Sequence, residues 1–155
     1  MATDEIAWLD QRERLVWLRF VRAASALLSD LDQQLQRDAG IAHSHFLILS
    51  RISMAPDSET GVSALAAELR YSPSRLSHAL QRLERDGWVA RRPDPSDGRA
   101  QLVRLTAEGL ARIEIVAPKH RVWVRSRVFD QLTAAQVDEL GAISDALMAG
   151  LDDTT

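Results

Sequence analysis

The chain has 155 residues, enough for one domain with a substantial core and too few for two independent domains. It carries 22 acidic and 19 basic side chains, so its net charge of −3 gives no indication of a polyanionic partner. The absence of cysteine excludes disulfides, thiolate metal sites and thiol redox switches. The N-terminus lacks the basic-then-apolar order of a signal peptide, and no apolar run approaches the roughly 18 residues of a transmembrane helix. We therefore expect a soluble, cytoplasmic protein that does not associate with membranes.

The charge is distributed unevenly along the chain. Residues 70–104 contain eight arginines and four acidic residues, a local net charge of +4 that leaves −7 for the remainder. Arginine supplies 18 of the 19 basic side chains, and its planar guanidinium pairs bidentately with phosphate and with guanine. A basic segment in an otherwise acidic chain indicates a localised surface for a polyanion.

The N-terminal part of the chain predicts one long helix. Apolar residues recur at helical spacing from Asp4 to Asp38, and the first glycine or proline in this part of the chain is Gly40, which is expected to end the helix. A helix of about 30 residues spans on the order of 45 Å, more than a domain of this size can cover. Part of its apolar stripe is therefore expected to pack against another subunit.

Two shorter helices are predicted next. Ser44 is the expected N-cap of the first, which ends before the Ala55–Pro56 pair because a residue that precedes proline leaves the helical region. A polar loop is expected at 57–61, and Val62 opens the second short helix. Only two residues separate this helix from the next predicted start.

The basic segment predicts a capped helix followed by a β-hairpin. Ser72 can cap an unpaired backbone N–H, and Pro73 suits the first helical position because it loses no bond there. Gly87 is the expected end of this helix, whose polar face carries serine, arginine and histidine. Two short runs, 88–92 and 101–105, flank a Pro/Asp/Ser/Gly loop and predict a hairpin. Two helices joined by a tight turn and followed by a hairpin form a winged helix-turn-helix.

Two helices are predicted in the C-terminal third. Thr106 is the expected cap of the first, which contains Pro118. Thr133 and Gln136 have the spacing of a capping box at the start of the second, whose apolar residues lie close to a heptad seam. Together with the long first helix, these helices are suited to a helical dimer interface. The predicted fold class is mainly α with a small β-wing.

Two local motifs resemble those of the MarR family of bacterial winged helix-turn-helix transcription regulators. The first is LAAELRYSPSRLSHALQRLERDGWV, at 65–89, and the second is DPSDGR, at 94–99, followed by LTAEG at 105–109. The resemblance extends over nearly the whole chain. It implies a homodimer that binds double-stranded, pseudo-palindromic operator DNA as a transcriptional repressor. It also implies a single unit over 1–155, with a helical dimerisation region from 4–40 and 107–155 and a DNA-binding region at 44–106.

The resemblance also assigns roles to particular side chains. Ser74, Arg75, Ser77 and His78 occupy positions that meet base edges, and Arg82 occupies one that contacts the DNA backbone. Arg99 corresponds to the wing-tip arginine that enters the minor groove, positioned by Asp97. His78 stands where many relatives carry arginine. The complete set of implied DNA-binding residues is Ser72, Ser74, Arg75, Ser77, His78, Arg82, Asp97 and Arg99.

A ligand is implied by the same resemblance, since many relatives sense small anionic or phenolic compounds in a cleft between the two regions. Trp17, His45 and Arg51 supply an aromatic ring, a titratable group and a cation on helices expected near that cleft. The alternative is that they serve packing and a structural ion pair. Leu47 stands four residues before Arg51, where the urate-responsive relatives carry aspartate, so that subtype is not supported.

The same sequence features bear on three other functions. A winged-helix protein–protein adaptor would tend to lack the wing arginine and the basic helix face, both of which are present. A metal-responsive regulator could use His43 and His45, but four histidines without cysteine and without ligands at helical spacing make a weak site. An enzyme is disfavoured because the chain has no glycine-rich phosphate loop and no nucleophile elbow, and no cofactor is expected.

Overall fold

The computed structural model describes residues 9–152. Its six α-helices are α1 (Gln11–Ala39), α2 (His43–Met54), α3 (Val62–Leu69), α4 (Pro73–Arg85), α5 (Ala107–Arg127) and α6 (Ala134–Asp152). Its three strands are β1 (Glu59–Gly61), β2 (Val89–Pro93) and β3 (Gln101–Leu105). They form an antiparallel sheet in the order β1-β3-β2, so the predicted winged helix-turn-helix class is confirmed.

The long first helix ends where the sequence predicts and starts later than predicted. Gly40 adopts a left-handed conformation with φ of 61°, and its N–H group bonds back to Gln36 and Leu35 carbonyls. At the other end, Asp10 and Glu13 form a reciprocal capping box, which fixes the helix start at Gln11. Leu9 and Asp10 are therefore not helical, and the predicted start at Asp4 lies outside the described residues.

Ser44 is not the cap of α2, which is a correction to the sequence prediction. The N-cap lies two residues earlier, at Ala42, which has no capping side chain, and the helix begins at His43. The backbone N–H of His43 instead donates to the Asp32 carboxylate on α1, at 2.8 Å. A residue distant in sequence thus supplies the acceptor that a local cap would have supplied.

The loop predicted at 57–61 contains a strand, which is a second correction. Thr60 of β1 pairs with Val103 of β3 in the antiparallel register. A strand of three residues is too short to show alternation, and its pairing depends on a partner more than 40 residues later in the chain. The hairpin strands lie at, or within one residue of, their predicted positions.

The core joins the winged part to the helical part. Its fully buried members come from α1, α2, α3, α4 and β3, and Val116 adds α5. The approach of α5 to the hairpin depends on Gly109, because a Cβ atom there would lie 1.9 Å from the Trp88 carbonyl oxygen. Thr106 caps α5 through Gly109 N–H and donates its hydroxyl to the Gly87 carbonyl at 2.6 Å, so the predicted cap is confirmed.

Candidate nucleic-acid interface

The amino end of α4 is an exposed polar surface held by a side-chain cap. Ser72 Oγ accepts a hydrogen bond from the Arg75 backbone N–H at 3.3 Å and lies 3.4 Å from Ser74 Oγ. Leu76, Leu80 and Leu83 are completely buried, which fixes the rotation of the helix about its axis. The opposite face therefore points to solvent, with Ser74, Arg75 and His78 exposed and Ser77 half-buried.

The wing loop is shaped by two aspartates that bond to nearby backbone. Asp94 accepts from the Ser96 N–H and hydroxyl at 2.8 and 2.7 Å, and these bonds lower the pKa of Asp94. Asp97 accepts from the Arg99 N–H at 3.0 Å, and Ala100 N–H donates to the Asp97 carbonyl at 2.9 Å. Both are turns closed by aspartate side chains, and together they place Arg99 at the exposed tip.

The arginines of the basic segment divide into two groups. Four are paired with carboxylates: Arg70 with Asp152, Arg82 with Asp86, Arg91 with Glu84 and Arg92 with Glu59. Within residues 9–152, the other four have no carboxylate within ion-pair distance: Arg75, Arg85, Arg99 and Arg104. The sequence shows all eight as equivalent cations, whereas in the described part of the chain Arg75 and Arg99 are exposed and have no carboxylate partner, one at the amino end of α4 and one at the wing tip.

Glu84 joins α4 to strand β2 of the wing and has no role in the sequence prediction. Its carboxylate accepts from the Arg91 backbone N–H at 3.1 Å and from Arg91 Nε at 2.9 Å, with a further contact to a terminal guanidinium nitrogen. The side-chain bond to Arg91 holds the pKa of Glu84 below its usual value. Arg91 therefore holds β2 against α4 and does not present a free charge.

The three candidate ligand residues occupy different environments. Trp17 is exposed on α1, with its ring 6.2 Å from that of Phe20. Arg51 forms an exposed ion pair with Glu68 of α3 at 3.2 Å. His45 is half-buried near Asp86 and Arg82, and burial lowers its pKa.

An open groove of about 690 Å³ lies between α1 and α5 and contains none of those three residues. It is lined by Gln34, Asp38, Pro118, Lys119, Val122, Trp123, Ser126 and Arg127. Gln34 is 95 % buried, and its Nε2 donates to Asp38 at 2.7 Å. Its Oε1 has no hydrogen-bond partner among the described residues, which is uncommon for a buried polar atom. The sequence gives no signal for this feature, because glutamine on a long helix is ordinarily exposed.

Two further histidines lie where α2 meets α5. The His120 ring lies 4.6 Å from that of Phe46, and its Nδ1 is buried without a partner among residues 9–152. Burial lowers the pKa of His120, and the neighbouring His43 lowers it further. Burial also lowers the pKa of His43, although Asp32 opposes this effect. No group of three or more potential metal ligands occurs in the described part of the chain.

These features define a winged helix-turn-helix protein: α4 is exposed, the wing of β2 and β3 adjoins it, and both carry basic groups. Among the helices described, none is long and apolar enough to cross a membrane. Known proteins of this class are similar to the chain in sequence and in structure.

The sequence of residues 39–100 matches the sequence pattern that defines the MarR family. The structure is similar to that of Sco3205, a MarR family transcriptional regulator from Streptomyces coelicolor crystallised in complex with DNA. That similarity has a TM-score of 0.92 and 42 % identity, and it covers 96 % of this chain and 93 % of the other. AbsC, a MarR family regulator from the same organism, aligns with a TM-score of 0.91 and 29 % identity over 94 % of this chain and 98 % of its own. The chain belongs to the MarR family of transcriptional regulators, and the predicted resemblance is confirmed.

Among curated relatives, the repressor IacR of Pseudomonas putida is 31 % identical over 61 % of this chain and 56 % of its own length. The regulator PrsX of Escherichia coli is 24 % identical over 93 % of this chain and 86 % of its own. The family and the fold are those of transcription regulators and not of enzymes.

Proposed function

We propose that the protein is a homodimeric repressor that binds pseudo-palindromic operator DNA through α4 and the wing. The observation that carries this proposal is the pair of exposed guanidiniums of Arg75 and Arg99, one at the amino end of α4 and one at the wing tip, neither with a carboxylate partner among residues 9–152. The 42 % identity to a regulator crystallised with DNA supports the same function. IacR, a repressor, supports the direction of regulation.

The proposed contacts divide between the two grooves. Ser74, Arg75, Ser77 and His78 meet base edges in the major groove, where Arg75 pairs bidentately with guanine. Ser72 and Arg82 contact the phosphate backbone, and Arg82 exchanges its ion pair with Asp86 for a phosphate. Arg99 enters the minor groove and reads its width through the local potential, with Asp97 fixing the backbone at the wing tip.

The dimer is proposed from large apolar side chains left exposed on α1 and α6. They include Val16, Leu18 and Phe20 on α1 and Ile143 and Leu147 on α6, all between 47 and 58 % exposed. Monomeric proteins rarely leave so large an apolar surface open to water. We assign 4–40 and 107–155 to the dimerisation region and 44–106 to the DNA-binding region. The two α4 helices then enter successive major grooves about 34–36 Å apart.

The Arg99→Ala substitution tests the wing assignment. Operator fragments are first selected from genomic DNA with the purified protein. The variant is expected to bind them more weakly and with a flatter dependence of log affinity on log salt, because fewer counterions are released. Arg125→Ala removes another exposed arginine, which lies on α5 and pairs with Asp130, and it should leave affinity unchanged. Unchanged binding by Arg99→Ala would refute the wing contact.

We also propose that a small anionic or phenolic ligand releases the DNA, with the groove between α1 and α5 as the favoured site. Gln34 offers a buried acceptor oxygen that has no partner among residues 9–152, Trp123 and Val122 form an apolar wall, and Lys119 supplies a cation. Trp17, His45 and Arg51 remain alternative candidates for ligand contacts, although they lie in different environments. In either case the ligand must favour one dimer conformation, by about 1–3 kcal/mol for a typical coupling.

Substitutions distinguish the two proposed locations of the ligand. Hydroxybenzoates added to the protein–DNA complex should weaken DNA binding about 5- to 150-fold if the coupling is typical. Lys119→Ala should abolish that effect, whereas Arg51→Ala should retain it. The reverse pattern would assign the ligand to the Arg51 site, and no effect on the parent protein would exclude this class of ligand.

A further inference from the structure

Tyr71 lies in the turn between α3 and α4 and supports the side chain of Arg75. The Arg75 guanidinium carbon lies 3.8 Å from the centroid of the Tyr71 ring, a cation–π contact. Tyr71 is itself partly buried against the hydrophobic core. Its backbone N–H donates to the Ala66 carbonyl at 2.9 Å, which fixes the turn. The ring is therefore a fixed platform for an otherwise exposed arginine.

A ring and a carboxylate hold a guanidinium in different ways. Arg82 and Arg91 are held by carboxylates, which occupy their N–H donors and offset their charge. The ring beneath Arg75 contacts the flat face of the guanidinium, whereas the five N–H donors lie in the guanidinium plane. Stacking on Tyr71 thus restricts the orientation of Arg75 while its charge and donors stay available.

The position of Arg75 suits this arrangement. Its backbone N–H is held by the Ser72 cap, and its side chain has no ion-pair partner in the described part of the chain. A long side chain without support loses rotamer freedom when it binds, and a pre-ordered side chain loses less. We propose that Tyr71 is a positioning residue that pre-orders Arg75 for bidentate pairing with a guanine. This inference rests on the proposed base-reading role of Arg75.

The inference is tested with Tyr71→Leu, Tyr71→Phe, Arg75→Ala and the Tyr71→Leu/Arg75→Ala double variant. Each full-length protein is titrated with a selected operator and with the same operator changed at single base pairs. Tyr71→Leu should weaken operator binding about two- to fivefold and reduce discrimination at the base pair that Arg75→Ala identifies. Tyr71→Phe keeps the ring and should match the parent protein. In the Arg75→Ala background, Tyr71→Leu should have no further effect.

A second readout does not require DNA. In the free protein the ring current of residue 71 should shift the Arg75 Hδ proton resonances upfield in the parent and in Tyr71→Phe, and not in Tyr71→Leu. A change of fold would move resonances throughout the molecule, so changes confined to the neighbours of residue 71, with Arg75 Hδ among them, isolate the contact.

The outcomes separate this inference from the function on which it rests. If Arg75→Ala alters no base preference, the base-reading role of Arg75 is refuted and the inference fails with it. If Arg75→Ala alters a preference and Tyr71→Leu binds like the parent, only the inference is refuted. If Tyr71→Phe loses as much affinity as Tyr71→Leu, the hydroxyl and not the ring acts, which also overturns it.

Discussion

At position 109 the fold leaves no room for a side chain, and the residue there is glycine. It lies in the first turn of α5, where a Cβ atom would stand 1.9 Å from the Trp88 carbonyl oxygen and 2.9 Å from the carbonyl carbon. Both atoms belong to the backbone, so the clash cannot be relieved by rotation of a side chain. The start of α5 and the start of the hairpin can touch only because residue 109 has no side chain.

The Gly109→Ala substitution should lower the free energy of unfolding by about 3 kcal/mol, because α5 must move away from the hairpin. Chemical denaturation measures this change. Gly98→Ala is the matched control, since nothing lies within 4 Å of a Cβ atom at that exposed position. Equal stabilities for the two variants would show that α5 adjusts at little cost.

At the scale of elements, the ion pair between Glu84 and Arg91 joins α4 to strand β2 of the wing. Their side chains are 29 and 22 % exposed, so this ion pair is better shielded from water than a typical surface pair. It includes a bond from the Arg91 backbone N–H, which ties the strand itself to the helix.

Glu84→Ala should destabilise the protein by about 1–2 kcal/mol, because it leaves a partly buried guanidinium and a backbone donor without their acceptor. Glu68→Ala removes the partner of Arg51 in a more exposed pair and should cost at most about a few tenths of a kcal/mol. Thermal unfolding compares the two. A similar small loss in both would mean that Glu84 does not hold the wing.

Local patterns in the sequence identified most elements, and long-range contacts account for the corrections. The caps at Ser72, Thr106 and Thr133 were predictable because donor and acceptor lie within three residues. The start of α2 was not, since its acceptor is Asp32, which lies 11 residues earlier. The strand β1 was missed for the same reason, because only β3 makes Glu59–Gly61 a strand.

The location of the candidate site could be predicted from the sequence, but the arginines that lack a carboxylate partner could not. The polar face of α4 follows directly from the helical spacing of Leu76, Leu80 and Leu83, which are completely buried. Which arginines are free depends on carboxylates brought near by folding, such as Glu59, which lies 33 residues before Arg92. The sequence roles of Ser72, Ser74, Arg75, Ser77, His78, Arg82, Asp97 and Arg99 remain predictions until DNA binding is measured.

At the scale of the whole molecule, the exposed apolar faces of α1 and α6 decide the proposed assembly. Ile143→Glu should convert the dimer to a monomer, because it places a charge in an apolar interface. Light scattering coupled to size exclusion measures the mass. Met54→Glu changes a 72 % exposed apolar residue on α2 and should leave the dimer intact. A dimer that persists in Ile143→Glu would move the interface away from this part of α6.

The division of the arginines also bears on the thermodynamics of the proposed complex. Association with DNA gains entropy from ions displaced from the phosphates in proportion to the cations that reach them. Arg70, Arg91 and Arg92 are each paired with a carboxylate of the protein and must break that pair to reach a phosphate, so they add less to that gain. Displacement of ions would then contribute less to the DNA affinity than a count of eight arginines predicts. The complementary fit of α4 and the wing to a particular DNA sequence would contribute more.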